Sequence, residues 1–229
     1  MVRNSVLCIM IFLCSKTLIG QIPTLNPFFF GKNSLVTNVV PSHLTSIGQF
    51  YADEEWNAGN IFLKNGDSLV AYYMRYDLVR NHLEVIIDTK IVALNGSFID
   101  QFEWFSVQRL KPERFINKDH FHFTESEEIY GFSELLEDGE IKLLKSKVVF
   151  APQRATSPTL VNSTDEKIQV IEKFFIEKED VIYEVSGSKK KNLEILNSKE
   201  LKEYIKGSNL HFTNENDLRR IIKFVNVDN

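Results

Sequence analysis

The chain has 229 residues, 43% of them hydrophobic and 12% aromatic, and its 27 Lys and Arg against 31 Asp and Glu leave a formal net charge of −4. That length and apolar content suffice for a domain with its own core, while the mild acidity argues against nucleic acid and against a polybasic membrane face. Both cysteines, Cys8 and Cys14, fall within the first twenty residues. The rest of the chain therefore has no disulfide, no thiolate site and no cysteine nucleophile.

Residues 1–20, "MVRNSVLCIMIFLCSKTLIG", have the order of a secretory signal peptide: Arg3, an apolar run from Val6 to Leu13, then small and polar residues up to Gly20. The run is far shorter than the roughly 20 residues a membrane-spanning helix needs. The expected cut follows Gly20 and leaves Gln21 first. Removing Arg3 and Lys16 takes the net charge from −4 to −6. The protein is expected to be exported, periplasmic or secreted, with no transmembrane span in the mature chain. Residues 21–48 mix Pro23, Pro27, Pro41 and Gly31 with Phe28–Phe30 and read as an irregular arm; residues 49–229 read as a single β-rich domain.

In the middle of the chain the apolar period is two. "KNGD" (64–67), "LNGS" (94–97) and "EDGE" (137–140) place Asn65-Gly66, Asn95-Gly96 and Asp138-Gly139 between apolar runs, the signature of two-residue type I′ hairpins. Alternation puts Val70, Tyr72, Met74 and Tyr76 on one face of a strand. It sets Leu83, Val85 and Ile87 against His82, Glu84 and Asp88, and places Val181, Tyr183 and Val185 together after the "EKED" turn. The C-terminal part switches to helix. Asn197 with Glu200 reads as a capping box, and Leu196 with Leu201 as a hydrophobic staple. Leu201, Tyr204 and Ile205 form the buried stripe, and Gly207 ends the helix. A second helix starts near Thr213 or Asn214, with the stripe Leu218, Ile221, Ile222 and Val225 and with Arg219, Arg220 and Lys223 toward solvent. The fold class is α+β: an antiparallel β-meander, a twisted sheet or half-barrel, followed by a helical pair over 197–226 packed on it.

"GNIFLKNGDSLVAYYMRYD", "VALNGSFIDQFEW", "YGFSELLEDGEIKLLK" and "KELKEYIKGSNLHFTNENDLRRIIKFVN" together resemble uncharacterised secreted proteins common in Bacteroidota, over most of residues 55–225. The resemblance implies an envelope or secreted location and a β-rich fold. It brings no activity and no functional residues.

Candidate chemistry is sparse. His120 and His122 stand two apart in "KDHFHFTESEE", with Glu125, Glu127 and Glu128 behind them. A strand would aim both imidazoles the same way, but zinc needs three or four ligands. The same alternation is explained by Phe121 and Phe123 facing the core while both histidines face water, so no metal is expected. His43, His82 and His211 are scattered. The chain lacks the G-x-S-x-G elbow of α/β-hydrolases. "VSGSKKKN" (185–192) lacks phosphate-loop spacing and reads as a turn with a basic tip. Asp53, Glu54 and Glu55 are acids of a kind that glycosidases pair across a sheet, but no sequence spacing fixes such a pair, and solvation explains them. Phe102, Trp104 and Phe105 suit either a ligand cleft or the core. Asn95-Gly96-Ser97 and Asn162-Ser163-Thr164 match the glycosylation pattern. No catalytic residue, cofactor or metal is assigned, and the ligand-binding residues are unknown. The sequence points to a non-catalytic secreted or envelope protein that binds a protein partner or an apolar ligand. The alternative is a hydrolase of an envelope or extracellular polymer.

Overall fold

The computed structural model describes residues 36–37, 50–123, 131–150 and 169–228. The signal segment, Phe28–Phe30, the acids at 125–128 and the Asn162 motif lie outside them. The strands are β1 (Val36–Thr37), β2 (Asn57–Leu63), β3 (Ser68–Asp77), β4 (His82–Ile87), β5 (Lys90–Asn95) and β6 (Ile99–Ser106). They continue with β7 (Lys111–Asn117), β8 (His122–Phe123), β9 (Phe132–Glu137), β10 (Ile141–Phe150), β11 (Gln169–Lys178) and β12 (Val181–Glu184). Helices α1 (Lys189–Leu196), α2 (Leu201–Gly207) and α3 (Glu215–Asp228) follow.

The fold is the expected α+β arrangement, a twisted antiparallel sheet followed by helices. Its sheet order is β1-β5-β4-β3-β2-β6-β7-β9-β10-β11-β12-β8, with only β8 parallel to its neighbour. Between β2 and β12 the antiparallel meander breaks at β6, and β8 leaves it for the far edge beside β12. β2 to β5 run outward one way, and β6 then returns to the free edge of β2. Asn95-Gly96 marks this break and not a hairpin. Asn95 caps a single 3₁₀ turn by accepting from the Ser97 N–H, and that turn redirects the chain. Gly96 is buried there, and a Cβ on it would sit 2.6 Å from the Asn81 carbonyl. Asn117 of β7 clamps the return by donating to the carbonyls of Gly96 and Ile99.

The other turns also depart from the Asn-Gly expectation. At 64–67 Gly66 alone has positive φ, the Gly66 N–H donates to the Leu63 carbonyl, and Asn65 accepts from the Asp67 N–H. The β9–β10 hairpin does turn at Asp138-Gly139, but Asp138 keeps negative φ. The two turns with positive φ at both central residues are Asp88-Thr89 and Glu179-Asp180. Their flanks pair directly, Ile87 with Lys90 and Lys178 with Val181. Ladder geometry imposes type I′ there although neither sequence favours it.

The sheet curls on itself. β3 and β9 are four steps apart in the sheet, which when flat would separate them by roughly 19 Å. Yet the rings of Tyr76 (β3) and Phe132 (β9) lie 5.3 Å apart. The Tyr76 hydroxyl donates to Asn81 Oδ1 and accepts from the Phe132 N–H. Inside the curl Phe102 stacks on Phe115 at 4.6 Å and touches Trp104 and Phe132, with Met74, Leu83, Val85 and Leu94 around them. Val70 is not in this core. A bulge at Gly59–Ile61, with Ala71 at φ 62, shifts the register so that Leu69 turns inward and Val70 outward.

The same sheet face continues into a second core. Leu136, Ile141, Leu143 and Ile176 meet Leu201, Ile205, Leu218, Ile221, Ile222 and Val225 of the helices. α1 was not expected: "VSGSKKKN" leads into it. Asn197, in left-handed conformation at φ 45, closes α1 by donating to the Leu193 carbonyl, so it does not cap α2. Asn226 fixes α3 by bonding both the N–H and the carbonyl of Ile141. Arg219 is not solvated as expected; it bonds Glu215, Glu137 and the Leu136 carbonyl.

Thr89 is a β-branched residue at φ 69, a conformation that costs an L-residue about 1–2 kcal/mol. Replacing it with glycine relieves that strain but adds unfolded-state freedom. Thr89→Gly is expected to raise stability by about 0.5–1 kcal/mol in urea denaturation, with an unchanged m-value.

Candidate functional site

Among the described residues the inner sheet face is filled by side chains of the chain itself, whereas part of the outer face is left uncovered. Register places Tyr73 (β3), Ala58 (β2), Phe105 (β6) and Pro112 (β7) in one row across four strands. Tyr73 is 57% and Phe105 50% exposed. Two residues along, Asn60, Glu103 and Arg114 form a parallel polar row. Between the rows runs a groove of about 490 Å³ that reaches Leu135 on β9. Its floor depends on Gly59, where a Cβ would lie 2.0 Å from the Glu103 carbonyl oxygen. The polar wall is held in place: Asn60 Nδ2 donates to Glu103 Oε1 at 2.9 Å, and Arg114 donates twice to Gln101 Oε1. Two residues along β3 from Tyr73, Arg75 lies with its guanidinium 4.0 Å from the Tyr51 ring and 4.2 Å from the Trp56 ring and pairs with Glu84. Burial, reinforced by Glu84, pushes the Tyr51 hydroxyl up to about 12.

On the inner face a charged seam separates the two apolar cores. On β9, Phe132 points into the curl, Leu136 into the helix-covered core and Glu134 between them. Glu134 meets Arg109, Lys111 and Lys145, and Lys145 also holds Glu215 at the start of α3. Glu113 shares Arg109 and accepts from the Trp104 indole N–H. The environments of the two acids differ. Burial pushes the Glu113 carboxyl up and outweighs Trp104, Arg109 and Lys111. Burial pushes Glu134 the same way, but Lys145, Arg109 and Lys111 together hold it below the usual range. A pair pushed apart is the pattern of acid–base catalysis. Here, however, the adjoining cavity measures only about 10 Å³, room for about one water.

A third cluster joins Lys118, just after β7, to Ser133 on β9 and Ser146 on β10. Lys118, 3% exposed, reaches Ser146 Oγ at 3.4 Å, and Ser146 Oγ lies 2.6 Å from Ser133 Oγ. Burial pulls the Lys118 ammonium down to about 7, with Asp119 opposing. The order lysine, serine, serine is a plausible proton relay. Both hydroxyls are fully buried, so no substrate reaches them in this conformation.

The residues singled out from sequence are dispersed. Phe121 and Phe123 pack partly against Leu144, Phe175 and Ile182, and His122 is exposed. His120 ends a 3₁₀ turn while His122 opens β8, so the two do not share one strand. Among the described residues no group of three or more His, Cys, Asp or Glu is placed to hold a metal. His82 is half-buried, and burial lowers its pKa. Asp53 is buried and accepts from Ser106 Oγ, while Glu54 and Glu55 are exposed. Phe102 and Trp104 are core and Phe105 is not. In "QFEWF" one aromatic of three falls on the outer face, the only sequence signal of the groove. Tyr73, Asn60 and Arg114 carried none. No helix among the described residues is long and apolar enough to cross a membrane.

Removing one partner of a buried ion pair costs about 3–5 kcal/mol. Lys145→Met is expected to destabilise by that order at pH 7. Glu134 contributes stability above its unfolded pKa that is lost as pH falls, so the deficit of the variant should narrow as pH drops through the carboxylate range; urea melts at pH 7 and pH 4 measure this. For Lys118 the unfolded ammonium titrates near 10.5 and the folded one at about 7. The unfolded chain binds the extra proton between these values, so stability rises with pH across that window. Lys118→Met should be more stable than the wild type at pH 7, and the gap should close as pH approaches 10.

The chain matches no protein-family model, no curated protein and no solved structure, so the site must be read from its own chemistry.

Proposed function

We propose that the protein is a non-catalytic, exported binding protein whose recognition surface is the outer face of β3, β2, β6 and β7. The observation that carries this reading is the bare row Tyr73–Ala58–Phe105–Pro112 beside a fixed polar wall. Exposed apolar residues scattered singly are ordinary, but a contiguous row of them rimmed by polar groups is the pattern of an interaction site. Strand alternation with the buried Phe102 and Trp104 turns position 105 outward, but nothing in the fold requires an aromatic there. Export is supported by the order of residues 1–20. An apolar small molecule inside the curl is disfavoured, because Phe102, Trp104, Phe115 and Phe132 occupy that space. The second reading, a hydrolase of envelope or extracellular polymers, draws on the divergent pair Glu113 and Glu134. It is the weaker one, since both acids are already paired with cations of the chain.

Photo-cross-linking in the native host tests the binding reading. A photoreactive residue at position 105 should give a discrete adduct that the same residue at position 170 does not. Equal labelling from both positions, or none from position 105, would overturn the reading.

A further inference from the structure

Resting on that reading, we infer that the outer groove binds a neutral glycan chain laid across the strands, with pyranose C–H faces against Phe105 in the groove and against Tyr73 just beyond its β2 edge, and hydroxyls against Asn60, Glu103 and Arg114. Size decides first. From β2 to β9 the groove crosses three strand steps, about 14 Å, and its two rows lie about 7 Å apart. The strip so defined is far smaller than the roughly 800 Å² per partner that a stable protein interface buries. A second copy of this chain, or any flat globular partner, would gain too little from it. A narrow, linear ligand matches its shape.

Charge and hydrogen bonding decide next. Arg114 already pairs with Asp138 and bonds Gln101, and Glu103 is held by Asn60, so the polar wall presents neither charge unpartnered to the ligand. Its groups are an amide, a carboxylate and a guanidinium, each planar and two-pronged. Neighbouring sugar hydroxyls both donate and accept, so they suit all three. The opposite wall offers only Ala58, Phe105 and Pro112. An extended peptide carries N–H and C=O groups along both edges and would turn one edge toward this apolar wall, where buried polar groups go unpaired. A pyranose ring has an apolar C–H face to place there instead. Tyr73 and Phe105 flank Ala58 at two strand steps, about 9.5 Å, comparable to the length of a disaccharide. The bonds from Asn60 to Glu103 and from Arg114 to Gln101 already order the polar wall, which reduces the entropy lost on binding.

The test is affinity electrophoresis of the full chain through gels containing hydroxyethylcellulose, laminarin, galactomannan or soluble starch, with an array of extended peptides probed in parallel. Retardation by at least one neutral glycan is expected. Phe105→Ala and Arg114→Ala should each weaken it by about ten-fold or more, whereas Phe150→Ala, an exposed aromatic outside the groove, should not. Phe105 is half-exposed, so its variant should keep the wild-type melting transition, and a calorimetric scan checks this. No retardation by any glycan, or retardation that survives Phe105→Ala, overturns the inference. If the peptide array alone gives Phe105-dependent binding, the glycan assignment falls while the binding reading stands. If no adduct forms from position 105 either, both fall.

Discussion

The curl of the sheet, held at the Tyr76 hydroxyl, is the constraint on which the rest of the structure depends. A sheet buries one face by packing another layer on it or by closing on itself. From β2 to β7 this chain closes. Tyr76 is where the two sides meet: its ring packs edge-on against Phe132, and its hydroxyl joins Asn81 to the Phe132 N–H. Gly131 is required beside it, since at φ 91 a Cβ there would sit 2.3 Å from that hydroxyl. Burial drives the phenol far above its ordinary range, so it stays a neutral donor and acceptor. Lys147 adds a second tie across the opening by donating to the Ala52 carbonyl.

Closure has a limit, and the charged seam lies at it. Beyond Glu134 the strands no longer face one another, and the inner surface of β9, β10 and β11 needs a cover. The helices supply it with a continuous apolar face. Glu134, Lys145 and Glu215 stand where the two packing modes meet. They bring α3 to the sheet with paired charges and not with a further apolar contact. Buried pairs of this kind add little net stability against an apolar replacement, but they fix where α3 starts, and Asn226 fixes where it ends.

Both devices use the inner face, which leaves the outer face free for function. Over β9 to β12 the outer face is also covered, by Phe121 and Phe123 on Leu144, Phe175 and Ile182. Over β3, β2, β6 and β7 no described residue covers it, and there the aromatic row and the polar wall stand side by side. The groove is rigid because its strands are also the wall of the curled core. Gly59 allows β2 to lie against the Glu103 carbonyl of β6, and Asn60 next to it accepts from the Ala71 N–H at the β2–β3 bulge and donates to Glu103.

Local chemistry determined much of the architecture. Period-two alternation marked the strands around Leu83–Ile87 and Val181–Val185, and a helical stripe marked Leu218, Ile221, Ile222 and Val225, because side-chain direction follows directly from backbone period. The fold class was legible for the same reason. Turn types were not. Asp88-Thr89 and Glu179-Asp180 adopt positive φ because the ladder on either side holds them there, and Asn95-Gly96 turns the chain to a distant strand because Asn117 and Asn81 meet it. The role of Asn197 was misread because α1, a short lysine-rich helix with a weak apolar stripe, gave little periodic signal, so the residue that ends one helix looked like the cap of the next. The groove was legible least of all. Tyr73, Ala58, Phe105 and Pro112 are far apart in sequence, and only strand order and register make them neighbours. The sequence by itself determined most of the strands, the two C-terminal helices α2 and α3, and which residues are apolar, but not α1. Tertiary structure alone decided which sheet face closes and which stays open, because that choice is made by contacts between β3 and β9 that no local pattern encodes.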